Sequence, residues 1–97
     1  MKDLHDNVVS YKRTPEFSED TVPKGLLNAH QTKAGTWGKI VVLEGVLRYR
    51  ILEPETETET ETEVTDLSPD LHGVVEPTVL HDVEPLGIVR FYVEFYR

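Results

Sequence analysis

Apolar and polar positions alternate with a period of two along much of the chain. That is the period of a half-buried strand, in which successive side chains point to opposite faces. The last stretch, 88–96, shows it most clearly. Val89, Phe91, Val93 and Phe95 fall on one face, and Arg90, Tyr92, Glu94 and Tyr96 fall on the other. Upstream, Leu47, Tyr49 and Ile51 alternate with Val46, Arg48 and Arg50. The β-branched run 39–43 and the run 46–52 flank Glu44-Gly45, a spacing that predicts a hairpin closed by a two-residue turn.

Shorter strands are expected at 7–11, 25–30, 64–67, 73–76 and 79–83. Turns are expected at 32–38, at Ser68-Pro69-Asp70 and at 84–87, where glycine, proline and acidic residues cluster. Residues 14–24 contain Pro15 and Pro23 and read as an extended connection. No stretch combines helix caps with a 3.6-residue apolar period. Roughly eight or nine short strands with turn signals between them predict an all-β sandwich or a small closed barrel.

Residues 53–63 interrupt the pattern with the repeat EPETETETETE. Six glutamates on one face of a strand would repel one another. The segment is expected to be an acidic, low-complexity hairpin tip, with no chemistry of its own, whose charge discourages pairing at a sheet edge.

Composition narrows the picture. At 97 residues the chain suits one domain, 1–97, and is too short for a two-domain dinucleotide enzyme or a (β/α)₈ barrel. It has no cysteine, which excludes disulfides, thiolate metal sites and a cysteine nucleophile. The net charge is −8, yet six of the 18 acids lie in 53–63, and the remaining 12 nearly balance the 10 bases. No basic cluster marks a nucleic-acid face, and the acidic balance does not suit an anionic membrane surface. The beginning of the chain lacks an apolar signal-peptide core and no segment has the length of a membrane span, so a cytoplasmic location is expected.

Four histidines are present: His5, His30, His72 and His81. His5 and His72 fall in an end segment and a turn, where solvated side chains are the ordinary outcome. His30 and His81 fall inside expected strands. If the sheet brings them together, two imidazoles and a carboxylate such as Glu94 would make a metal site with open positions, suited to zinc, iron or nickel. The plainer reading of both is a half-buried, hydrogen-bonded histidine. No nucleophile elbow surrounds Ser10, Ser18 or Ser68, and Gly35-Thr-Trp-Gly38 is too sparse for a phosphate loop, so no nucleotide cofactor is expected and no catalytic residue is assigned.

Several pieces in order carry a resemblance: Tyr11-Lys-Arg-Thr-Pro15-Glu-Phe17, Pro23-Lys-Gly25, His30 followed by Lys33-Ala-Gly35, Glu44-Gly45, and Pro77 four residues before His81. Over about residues 10–96 the chain resembles a small cupin of the TehB/YeaR-like family, a group associated with tellurite resistance. The resemblance implies a double-stranded β-helix, a jelly-roll barrel with a cavity between its sheets. Metal-holding cupins take two histidines and a glutamate from a first motif and one histidine from a second. Counting back from Gly45 places the first-motif positions near Gln31 to Ala34 and at Gly38, and none of these is His or Glu. His81 matches the second motif, but Pro85 stands where asparagine is usual. An abbreviated set of His30, His81 and Glu94 is what remains. Longer members of the group carry a methyltransferase domain that uses S-adenosylmethionine, and this chain is not expected to be catalytic alone.

The leading reading is a binding domain that holds a metal ion or a small oxyanion in the barrel cavity, with Lys39, Arg90 and Tyr92 as ligand contacts. The alternatives are a metal-dependent enzyme of the non-haem iron oxygenase or isomerase type, and a structural or regulatory homodimer formed through the last strand.

Overall fold

The computed structural model describes residues 3, 4, 6–28, 31–53 and 60–97. Its elements are β1 (Ser10–Arg13), β2 (Phe17–Ser18), a short 3₁₀ turn (Lys24–Leu27), β3 (Trp37–Glu53), β4 (Thr60–Leu67), β5 (Gly73–Val75) and β6 (His81–Tyr96). The protein is all-β, as its alternation predicts.

Two long strands organise everything. β3 has 17 residues and β6 has 16, and they pair antiparallel from Trp37–Tyr96 to Ile51–His81. A straight strand of 17 residues would span about 55 Å, but the molecule measures only 33 × 32 × 22 Å. The pair must therefore fold over on itself. It does so at irregularities between Val42 and Glu44 and between Gly45 and Leu47, opposite Leu86–Ile88 of β6. Gly45 (φ 80°) and Gly87 (φ 103°) supply the left-handed backbone there, a conformation that glycine adopts without the penalty of a Cβ. The extra residue also switches parity. Ile40 and Val42 are buried before the bend, and Leu47 and Tyr49 after it.

The expected hairpin turn at Glu44-Gly45 is thus a bulge within one continuous strand. The expected turn at 84–87 is likewise absorbed into β6. In both places a reversal is expected from the sequence, and the chain instead runs on through a glycine in the left-handed region. β4 and β5 lie along the outer edge of β3, and β1 and β2 along the outer edge of β6. The path β1-β6-β3-β4 does not return to its start among the described residues. The sheet is folded over but open, which corrects the expected closed jelly-roll barrel.

The strand expected at 25–30 is instead a 3₁₀ turn at Lys24–Leu27, with Leu26 packed on the core, while residues 29 and 30 lie outside the described set. Regular pairing of the first strand begins at Ser10 rather than at residue 7. Pairing of β3 with β4 runs into the Glu/Thr repeat from both sides, to Glu53 and Thr60. Of the acidic tip expected at 53–63, residues 54–59 lie outside the described residues.

The core lies between the two folded halves. Tyr49 and Leu67 from one half meet Ile40, Val75 and Phe91 from the other. The Tyr49 hydroxyl crosses the fold and donates to the Val74 carbonyl at 3.1 Å. Phe17 of β2 closes over Phe91 edge-on, with ring centroids 5.6 Å apart. The two ends are tied by reciprocal backbone bonds between Val9 and Arg97 of 3.0 and 3.1 Å. Among the described residues no helix is long and apolar enough to cross a membrane.

Candidate functional site

His81 opens β6 and is the buried polar side chain of the described core, 3% exposed. It reaches that position because the inner face of β6 carries odd-numbered residues: His81, Val83, Val89, Phe91 and Val93 are all buried. Its Nδ1 lies 3.1 Å from the Val79 carbonyl. A carbonyl oxygen only accepts, so Nδ1 carries the hydrogen of that contact, and in a neutral ring the lone pair resides on Nε2. The ring stands edge-on to Tyr49, 5.7 Å between centroids.

His81 borders a small chamber of about 30 Å³ whose other walls include Ile40, Val83, Val93 and Phe95. Thr32 also borders it, but the Thr32 hydroxyl donates to the Thr36 carbonyl at 2.7 Å. Apart from the imidazole the described lining of the chamber is therefore mostly apolar.

A second cavity of about 320 Å³ opens beside the first. Tyr11, Lys12, Gln31, Lys33 and Thr36 line it, and Thr32 and Phe95 border both cavities. β1 places Lys12 there because Lys12 pairs with Phe95 across the sheet, and cross-strand partners share a face. The Arg97 guanidinium stacks over the Tyr11 ring at 4.1 Å. No acidic side chain is among the described residues that line this cleft, although the chain carries a net charge of −8. Two ammonium groups, an amide and hydroxyls there form a donor set for an anion.

The residues expected from the sequence distribute differently. Glu94 points away from the inner face, where Ser10 Oγ donates to it at 3.0 Å and the Tyr96 hydroxyl at 2.7 Å. The Tyr96 bond is the main reason that the Glu94 carboxyl is held below its ordinary value, with help from Ser10, Lys39 and Arg13. Tyr96 is pushed up to about 12 by the same bond. Lys39 belongs to this outer cluster. Tyr92 is covered by the Arg13 guanidinium at 3.7 Å. Arg90 contacts Glu16 at 3.1 Å and Glu44 at 3.7 Å. The structure does not bring Lys39, Arg90, Tyr92 or Glu94 to the chamber that His81 borders. His30 lies outside the described residues. Among the described residues no group of three or more His, Asp or Glu side chains is placed to hold a metal ion.

Sequence reasoning passed over Lys12, Gln31 and Lys33. Two of the three carried a signal: Gln31 and Lys33 lie in the stretch 31–34 where counting back from Gly45 puts the first-motif positions of metal-holding cupins. Lys12 carried none, because only its pairing with Phe95 brings it to the cleft.

A family model described as TehB-like domain matches residues 12–93. Two proteins of Haemophilus influenzae, each named probable S-adenosyl-L-methionine-dependent methyltransferase TehB, are 34% and 33% identical to this chain over 85 residues. The aligned part is 87% of this chain but only 29% of theirs. The crystal structure of TehB from Haemophilus influenzae superposes with a TM-score of 0.84 at 33% identity, covering 94% of this chain and 32% of that one. A crystal structure of an Escherichia coli K12 protein superposes with a TM-score of 0.87 over 100% of this chain and 97% of that one. Its 20% identity makes that a likeness of fold. The chain thus spans under a third of the length of the TehB proteins it matches.

Proposed function

The chain belongs to the TehB-like domain family, and from that premise we propose that it is a cupin-like binding domain that holds a small oxyanion in the cleft lined by Lys12 and Lys33. One observation carries the reading: two lysines and no described acid line a cavity of about 320 Å³ in a protein whose net charge is −8. Charge outside 53–63 is nearly balanced, so a cleft that gathers cations and hydroxyls without a described acid is the favourable place for an anion. On the cupin resemblance, Gln31 and Lys33 fall near the positions at which metal-holding cupins carry imidazoles and a carboxylate. Exchange of those ligands for an amide and an ammonium suits an anion better than a cation.

The family resemblance brings tellurite forward as a ligand to try. The methyl transfer in the TehB name belongs to chains about three times as long, and it is not carried over to this chain. The test is calorimetric titration with tellurite, selenite, sulfate and phosphate at low ionic strength. The reading expects saturable binding of at least one of them, weakened about tenfold or more in Lys12→Glu/Lys33→Glu. Absence of saturable binding, or binding indifferent to both substitutions, overturns it.

The buried imidazole of His81 supports a second reading, a divalent transition metal such as zinc, iron or nickel held by His81 and His30. The described residues do not complete a metal site, since Glu94 faces away and one imidazole is not a ligand set. Elemental analysis of untagged protein decides it. About one metal per chain, lost in His81→Ala, favours the metal, and equal trace amounts in both exclude it.

A further inference from the structure

We propose that the preferred ligand of this cleft is an organic oxyanion with a short apolar tail, a small monocarboxylic acid, whose head sits at Lys12 and Lys33 and whose tail enters the chamber beside His81. The inference rests on the oxyanion reading above and narrows its ligand.

The geometry joins two unlike compartments. The cleft carries two lysines on a mixed polar and apolar lining, and the adjoining chamber is mostly apolar among the described residues. Thr32 and Phe95 border both, so the two spaces adjoin at these residues. A bare oxyanion uses only the outer compartment. It has nothing to offer Ile40, Val83 and Val93, which present methyl groups to the chamber. Among the described residues at the chamber wall, the Thr32 hydroxyl is given to Thr36 and the His81 Nδ1 hydrogen to Val79. A space lined in this way gains dispersion contacts and loses little on admitting methylene groups. Its volume of about 30 Å³ corresponds to about two water-sized groups, which sets the tail at two or three carbons. A longer tail would have to displace core side chains, and close-packed interiors resist that.

The experiment is a homologous series on the whole chain: formate, acetate, propionate, butyrate and hexanoate, with sulfate as the tailless control. Binding is followed by amide chemical-shift titration at fixed low ionic strength. Affinity is expected to rise about fourfold for each methylene that becomes buried, to peak at propionate or butyrate, and to fall at hexanoate. Val83→Leu, which adds bulk to the chamber wall, is expected to flatten the rise while leaving formate unchanged. Lys12→Ala/Lys33→Ala is expected to weaken every member by a similar factor. A series with no dependence on tail length, or sulfate binding as tightly as butyrate, overturns this inference and leaves the oxyanion reading standing. If neither the acids nor sulfate bind, both fall. The wild-type series decides the matter even if Val83→Leu fails to fold.

Discussion

A methyl group placed on Gly45 would overlap the carbonyl oxygen of Ile88. Gly45 sits in the bulge at which β3 and β6 fold over together, with a φ of 80°, and the backbone of β6 packs directly against its Cα. Backbone is not the movable end of a flexible side chain. Gly45→Ala therefore combines left-handed strain with a steric clash, and a loss of about 3 kcal/mol or more is expected. Urea unfolding measures it. Gly35→Ala is the control, since Gly35 shares the positive φ but a Cβ there meets nothing within 4 Å, and it should cost about 1–2 kcal/mol. Equal losses at the two positions would show that the close approach to Ile88 does not matter.

Gly45 also shows where reading the sequence succeeds and where it stops. Alternation assigned the faces correctly: Leu47, Tyr49, Val89, Phe91 and Val93 are buried as their spacing requires. The same Glu-Gly pair, however, satisfies both a hairpin turn and a bulge, because both need a residue tolerant of positive φ. Which one forms depends on whether a partner strand accompanies both arms, and β6 does so from 37 paired with 96 to 51 paired with 81. That is a long-range fact with no local trace. Once β6 is read as continuous, however, His81 and Glu94 are seen to be an odd number of positions apart and so on opposite faces. The lysine cleft was less legible, since Lys12 reaches the cavity that Lys33 also lines through pairing of the first strand with the last.

Arg50 lies between Asp82, at 3.0 Å, and Glu84, and its side chain is 20% exposed against 17% for Asp82. Arg48 pairs with Asp66 at 2.9 Å, but the two side chains are 37% and 46% exposed. Solvent screens the second pair more than the first. Arg50→Met, which strands Asp82 in a largely covered position, is expected to cost about 1–3 kcal/mol. Arg48→Met is expected to cost less than Arg50→Met. Parallel denaturant curves check the order, and a larger loss at Arg48 would contradict the burial argument.

The Tyr49 hydroxyl is the group that links the two halves through the core, and burial pushes its ionisation well above the ordinary tyrosine value. Tyr49→Phe keeps the ring and its edge contact with His81 but removes the donor to Val74. The partly buried carbonyl then lacks that partner, and a loss of about 1–2 kcal/mol is expected. Faster amide exchange of the β5 residues 73–75 in the variant would locate the effect, and unchanged exchange there would place it elsewhere.

On the outer face, Tyr96 donates to Glu94 and the bond gives stability a dependence on pH at both ends. Tyr96 titrates at about 12 in the folded chain against an ordinary value of 10.0. Between these values the unfolded chain has already released the proton that the folded chain retains, so stability falls as pH rises through that window. Glu94 is shifted the other way, below its ordinary 4.5. Its contribution is present above that value and is lost as pH falls through the lower, folded-state one. Tyr96→Phe removes the largest cause of both shifts. The stability difference between wild type and Tyr96→Phe is expected to be constant from about pH 6 to pH 9 and to shrink toward pH 12 and below about pH 4. Tyr49 ionises in both proteins, so its alkaline effect cancels in the difference. A difference that stays flat across the whole range would mean that the hydroxyl and the carboxylate do not share a proton-dependent bond in solution.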